Sequence, residues 1–348
     1  MTTPENAYQE IARVFSARGN QVLEIEMISS ALGTPFLQDG LFIGITKKML
    51  VHAYTIARKL FFQRLMSRSG DDFHVDYETK DSCGVSDRVI TEIMLLFDCE
   101  HLTACNWRKR RLLAATIQCV KDKDQIASTR QALEEELTLL TTYQCSPLHR
   151  HTKSPNLWSH RLWVLRQLFQ IQPWGTEALL NLERAELDGV LRAAELHPKN
   201  YYAFGYMRQL HALLADTAET ADRASWSVQL ARPLLDPVLD WCLAHPRDIS
   251  AWVFGKDLLG CVPEQQIRTD TVGRVVCFAR DIGWEGESLW TFVDQSIRQF
   301  DLECVLDEIL PSDTPNVEQH MPPKWTWLGR LTRAQAYWTK YRNTTVDK

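Results

Sequence analysis

The stretch His197-Pro198-Lys199-Asn200-Tyr201-Tyr202-Ala203-Phe204-Gly205-Tyr206-Met207-Arg208 decides the fold. A proline stops whatever helix precedes it, because the residue before a proline avoids the α region. A small polar residue, Asn200, then caps the next helix with its side-chain oxygen. An aromatic follows four residues after the cap, with a cation close behind. The cadence returns at His245-Pro246-Arg247-Asp248 leading to Trp252, and at Ser154-Pro155-Asn156-Leu157-Trp158-Ser159-His160-Arg161. Weaker copies are His101-Leu102-Thr103-Ala104-Cys105, Glu287-Ser288-Leu289-Trp290 and Lys324-Trp325-Thr326-Trp327. The aromatic slot thus falls at Cys105, Trp158, Phe204, Trp252, Trp290 and Trp327, every 37–53 residues. A period in that range belongs to stacked helical hairpins, each one supersecondary unit.

Around each slot the sequence reads as two helices. The first carries an apolar stripe, as in Leu133, Leu137 and Leu140 behind Glu134-Glu135-Glu136, or Leu179, Leu180, Leu187, Val190, Leu191 and Ala194. The second carries the slot and, three residues on, a cation on the same face. Arg161 and Arg330 hold that place, whereas Met207 and Gly255 lack the charge. An arginine there is expected to cover the indole and bond to carbonyls ending a neighbouring helix. Cys105 in place of an aromatic predicts a less fully packed first repeat, with Thr103 as cap and residues 116–130 as a long connection. Pro233 and Pro237 predict interruptions in the helix from Trp226 to Ala244. Upstream, alternating apolar residues at 22–28 and an extended stretch at 36–43 precede a long amphipathic helix from Thr46 to Met66. Residues 67–86 read as a polar loop.

The cadence resembles the repeat of protein prenyltransferase α subunits, in a divergent branch. Besides the stretches above, it is carried by Leu95-Leu96-Phe97-Asp98-Cys99-Glu100 and Leu162-Trp163-Val164-Leu165. It spans about residues 90–330. The implied fold is all-α, an α-α superhelix or solenoid of five to six helical hairpins. Residues 87–335 hold the repeats, 1–86 a helical or irregular segment packed on them, and 336–348 a tail. The implied function is the α-type subunit of a heterodimeric protein prenyltransferase, which transfers a farnesyl or geranylgeranyl group to protein cysteines. The partners implied are a β subunit, a substrate protein with a C-terminal cysteine and an isoprenoid diphosphate at the subunit seam. Zinc is expected in the β subunit and no metal in this chain. By the same resemblance Lys153 maps to the lysine that contacts diphosphate. Asn200, Tyr201, Tyr202, His160 and Arg161 map to positions facing substrate or partner. The family's tyrosine after the second cap is Pro155 here, and its frequent histidine is Tyr202. The alternative is a non-enzymatic helical-repeat scaffold for protein–protein interaction, which the altered slots at Cys105, Met207 and Gly255 favour.

Composition excludes other classes. A net charge of −5 gives no global basic field for nucleic acid. No apolar run is long enough to span a bilayer. Residues 1–10 are polar, without the apolar core of a signal peptide, and nine cysteines lack a Cys-x-x-Cys pair. The expected setting is therefore the reducing cytoplasm. Neither a phosphate-cradling glycine loop nor a hydrolase elbow occurs. Cys145 with His149, His151 and His160 is the one grouping of metal-ligating or nucleophilic type in the repeats.

Overall fold

A computed structural model describes residues 3–67, 85–121, 123–217 and 223–302, with the isolated positions 305 and 329. The proposed sixth repeat with Trp327 and Arg330, the 336–348 tail and most of the 67–86 loop lie outside the described residues. The described chain is all-α apart from one small sheet, with twelve α-helices among the described residues. It divides into two compact units, residues 1–210 and 211–348.

The first unit opens with α1 (Pro4–Ala17), capped by Thr3, and strands β1 (Glu24–Ile28), β2 (Phe36–Asp39) and β3 (Phe42–Thr46). The sheet order is β1-β3-β2, with β1 parallel and β2 antiparallel to β3. Gly44 sits where a Cβ would stand 2.9 Å from the Ile28 side chain, so this pairing needs a glycine. Helix α2 (Lys47–Ser67) follows, then α3 (Asp87–Phe97), α4 (Leu102–Lys121), α5 (Ile126–Cys145), α6 (Pro155–Ile171), α7 (Thr176–Leu196) and α8 (Tyr201–Thr217). These pair as α3/α4, α5/α6 and α7/α8. The open edge of β1 is closed by α5: Leu23 N–H donates to Thr142 Oγ1 (3.0 Å) and Ile25 N–H to Ser146 Oγ (2.9 Å).

Two expectations for the first repeat change. Helix α4 runs on to Lys121, so the connection to α5 is short. Its cap is His101, whose Nδ1 accepts from Ala104 N–H at 3.3 Å, and Thr103 lies inside the first turn. That restores the cadence, because His101 stands four residues before Cys105, as Ser154 does before Trp158. Cys105 is itself fully buried.

The second unit contains the end of α8, α9 (Arg223–Ala244), α10 (Ile249–Cys261), α11 (Gln265–Asp281) and α12 (Glu287–Phe300). Helix α9 continues through Pro233 and Pro237. Each proline removes one helical hydrogen bond, but the helix buries Trp226, Leu230, Leu234, Leu235, Val238 and Trp241, and that packing keeps it whole. Asp248 caps α10 through Ser250 N–H at 2.9 Å.

Candidate functional site

One local device recurs in both units. The aromatic slot is buried at Trp158, Phe204, Trp252 and Trp290. Each indole donates to the backbone carbonyl six residues upstream: Trp158 to Thr152 (2.9 Å), Trp252 to Pro246 (3.1 Å) and Trp290 to Trp284 (2.8 Å). The ring therefore fills the core and closes the loop that leads into its own helix. A buried indole N–H needs such a partner, which is why tryptophan works here with a polar loop behind it.

The arginine three residues past the slot does not lie over the indole, as the sequence suggested. It enters a buried ion pair with a glutamate of the next hairpin. Arg108 bonds Glu136 through Nε (2.7 Å) and Nη2, and Thr91 and the Arg88 carbonyl through Nη1. Arg161 bonds Glu186 in the same bidentate way (2.6 and 2.7 Å), and also reaches the Leu137 carbonyl and Thr141. Tyr206 adds its hydroxyl to Glu186. Burial alone would disfavour both guanidinium charges, yet the paired carboxylates hold Arg108 and Arg161 well above their ordinary range. Burial would likewise raise Glu136, but Arg108 and His160 hold it well below the usual carboxylate range. His160 sits on Glu136 at 2.8 Å. Burial lowers its basicity, and its bonds to Cys105 and Glu136 outweigh burial and raise it.

The sequence reading missed Glu136 and Glu186, naming the first only within the run Glu134-Glu135-Glu136. The signal was present: Glu136 is spaced three from Leu133 and four from Leu140, on the apolar stripe itself. Glu186 stands on its stripe between Leu179 and Val190.

Six residues were singled out for function, and the structure separates them into two groups. His160, Arg161 and Asn200 are buried. Asn200 donates from Nδ2 to the Thr152 carbonyl (2.7 Å), and its Oδ1 accepts from Ala203 N–H (3.2 Å). Thr152 O thus receives both Asn200 and Trp158, welding the second loop to the third. Lys153, Tyr201 and Tyr202 share the surface directly above this weld. Lys153 ends a 3₁₀ turn, His151–Lys153, that leads into the Ser154 cap of α6. Its Nζ lies 5.6 Å from the centre of the Tyr201 ring, which is 53% exposed. The Tyr201 and Tyr202 rings stand 4.2 Å apart, and the bond to Tyr201 pushes the Tyr202 hydroxyl up. His149 and His197 pair beside them at 5.6 Å. Partial burial, then the Lys153 and His149 charges, lower His197. Lys199, in the left-handed region at φ 59°, makes the turn that presents Asn200 inward and Tyr201 outward. Glu100, whose charge reaches Tyr202, accepts the Ser154 hydroxyl on its carboxylate.

The patch is thus a cation, two phenols and two imidazoles over a rigid floor, a set suited to an anion with several acceptor oxygens. The comparison with known families falls on these helices: residues 184–214 match the protein prenyltransferase alpha subunit repeat. This segment carries a protein prenyltransferase alpha subunit repeat. A search of the curated proteins finds no match. The matched segment carries Glu186, Asn200, Tyr201, Tyr202 and the Phe204 slot.

Among the described residues, no group of three or more His, Cys, Asp or Glu side chains could hold a metal ion. The Cys145, His149, His151 and His160 grouping is dispersed. Cys145 donates to the Gly189 carbonyl, His151 Nε2 bonds the Leu95 carbonyl, and His160 bonds Glu136. No helix among the described residues is long and apolar enough to cross a membrane.

Proposed function

We propose that this chain is the α-type subunit of a heterodimeric protein prenyltransferase acting in the cytosol. In this reading it supplies scaffold, substrate-protein recognition and one seam of the diphosphate site. The observation that supports the reading is the grouping of Lys153 with Tyr201 and Tyr202 on the surface of the matched repeat. Departing diphosphate gains negative charge, and a preorganised ammonium with phenolic donors stabilises it as it forms. Lys153 is the charge contact, and Tyr201 and Tyr202 are hydroxyl donors. Asn200, His160 and Arg161 act through position: Asn200 holds the Lys153 loop, and the other two fix the hairpins that carry it. Zinc and the isoprenoid pocket would come from the β subunit.

The test is reconstitution with a prenyltransferase β subunit of the geranylgeranyl type. Gel filtration reads assembly, and prenyl incorporation into a protein with a C-terminal cysteine reads activity. Lys153→Ala should assemble normally, because one rim lysine contributes little to a large interface. It should lower turnover by up to about 10²–10³, the scale for a lost contact to a developing anion. Wild-type turnover in the mutant pair removes Lys153 from the chemistry. Failure of the wild type to bind any β subunit replaces this reading with that of a non-enzymatic scaffold.

A further inference from the structure

In the second unit, three polar side chains from three helices meet at the end of α10. The Cys261 sulfur lies 3.7 Å from His211 Nε2, within hydrogen-bond reach of sulfur, so the imidazole can take the thiol proton. The thiol also donates to the Asp257 carbonyl one turn back, at 3.4 Å. Ser227 of α9 lies near enough to the sulfur to help lower the thiol. Cys261 is part-exposed, whereas Cys99, Cys105, Cys119 and Cys242 are buried. Burial raises the Cys99 thiol to about 11, and it raises Cys145 and Cys242 as well. Cys261 moves the other way: the His211 bond lowers it against its partial burial. Asp257 opposes that shift through its charge.

We propose that Cys261 is a covalent modification site, a nucleophilic thiol activated by His211 that exchanges with low-molecular-weight disulfides. The exchange balances without a further redox partner. The Cys261 proton passes to His211 Nε2, and the thiolate attacks one sulfur of the incoming disulfide. A new S–S bond forms as the old one breaks, and the departing thiolate takes up a proton. The chain sulfur is oxidised and one half of the small disulfide is reduced. A tenfold gain in thiolate raises the rate by only about threefold, because a less basic thiolate is also a weaker nucleophile.

The experiment exposes the full-length protein at pH 7 to a small excess of oxidised glutathione. The modified cysteines are timed by peptide mass spectrometry. Cys261 should be modified about threefold or more faster than Cys145 or Cys277 in the same molecule, a comparison that needs no variant. His211→Gln, confirmed folded by circular dichroism, should slow the Cys261 reaction about threefold and move its pH–rate midpoint upward. Equal rates at the three thiols in the wild type would overturn the proposal. So would a Cys261 rate and pH midpoint that His211→Gln leaves unchanged.

Discussion

The first two repeats and the later ones share the slot and differ in what stands three residues after it. Arg108 and Arg161 are buried cations, each clasped by a glutamate from the next hairpin. Met207, Gly255 and Val293 occupy the same register in the third, fourth and fifth repeats. The glutamate register changes with them: Leu234 and Val272 stand as far before their caps, Asp248 and Gly286, as Glu186 does before Asn200. All of these later residues are buried. In the third and fourth repeats both registers of the polar pair are therefore apolar together. The contrast shows which half of the repeat is indispensable. The buried slot recurs in all five described repeats and an indole closes the loop in three of them, at Trp158, Trp252 and Trp290, whereas the ion pair is one of two ways to fill the space beneath.

The largest effects should come from the shared half. Trp158→Ala in one unit and Trp252→Ala in the other should each destabilise by about 3–5 kcal/mol, through lost burial and a residual cavity. Trp252→Ala also takes the indole donor from the Pro246 carbonyl, whereas Thr152 O keeps its bond from Asn200 Nδ2. Urea unfolding measures both, and a cost in only one unit would mean that the device is not common to the two.

Next comes the half that differs. Arg161→Met should cost about 3 kcal/mol, at the lower end for a broken buried pair, because Glu186 keeps the Tyr206 hydroxyl. The triple variant Arg161→Met, Glu186→Leu, Tyr206→Phe copies the apolar solution of the later repeats. It should return to within about 1 kcal/mol of wild type, since well-packed apolar residues often replace a buried ion pair without loss. If the triple variant is as unstable as the single one, the two solutions are not interchangeable.

What the sequence made legible follows the same division. The period, the caps at Ser154, Asn200 and Asp248, and the buried rings were readable because each is local, set by residues within one turn of one another. Two local errors had local causes: His101 caps as well as Thr103 would have, and a proline count overruled the apolar stripe of α9. The ion pairs were not readable, since Arg108 and Glu136 meet only when two hairpins stack. A glutamate on an apolar stripe was the available clue. The Lys153, Tyr201 and Tyr202 grouping was named residue by residue through the family resemblance. Their position on one rim, with Asn200 turned inward, depends on the left-handed turn at Lys199.

A pH test sharpens the comparison through His151, which is buried in the first unit against the Leu95 carbonyl. Burial lowers it to about 4, from an ordinary value of 6.5. The unfolded chain therefore binds a proton that the fold excludes between these values, and stability rises with pH across that window. Going from pH 7 to pH 5 should cost about 2 kcal/mol through this one group. His160 works in the opposite sense: its raised affinity adds stability that fades as pH climbs through its folded value. His151→Gln should flatten the urea midpoint between pH 5 and pH 7. An unaltered slope in the variant would place the acid sensitivity elsewhere.

The smallest effect tests whether the apolar solution is complete. Gly255 sits inside α10, where a Cβ would meet only Val238 Cγ1, at an ordinary contact of 3.5 Å. Its φ is not in the left-handed region, so nothing in the backbone calls for glycine. Glycine costs a helix interior about 0.5–1 kcal/mol relative to alanine. Gly255→Ala should therefore stabilise the protein by about that amount, read as a higher urea midpoint with an unchanged slope. Gly255→Arg, which rewrites the fourth repeat to match the second, should do the reverse. Val272 stands where Glu186 stands in the pattern, so the new guanidinium would enter the core without a carboxylate. A stabilising arginine at 255 would show that the later repeats still hold a buried acid able to receive it.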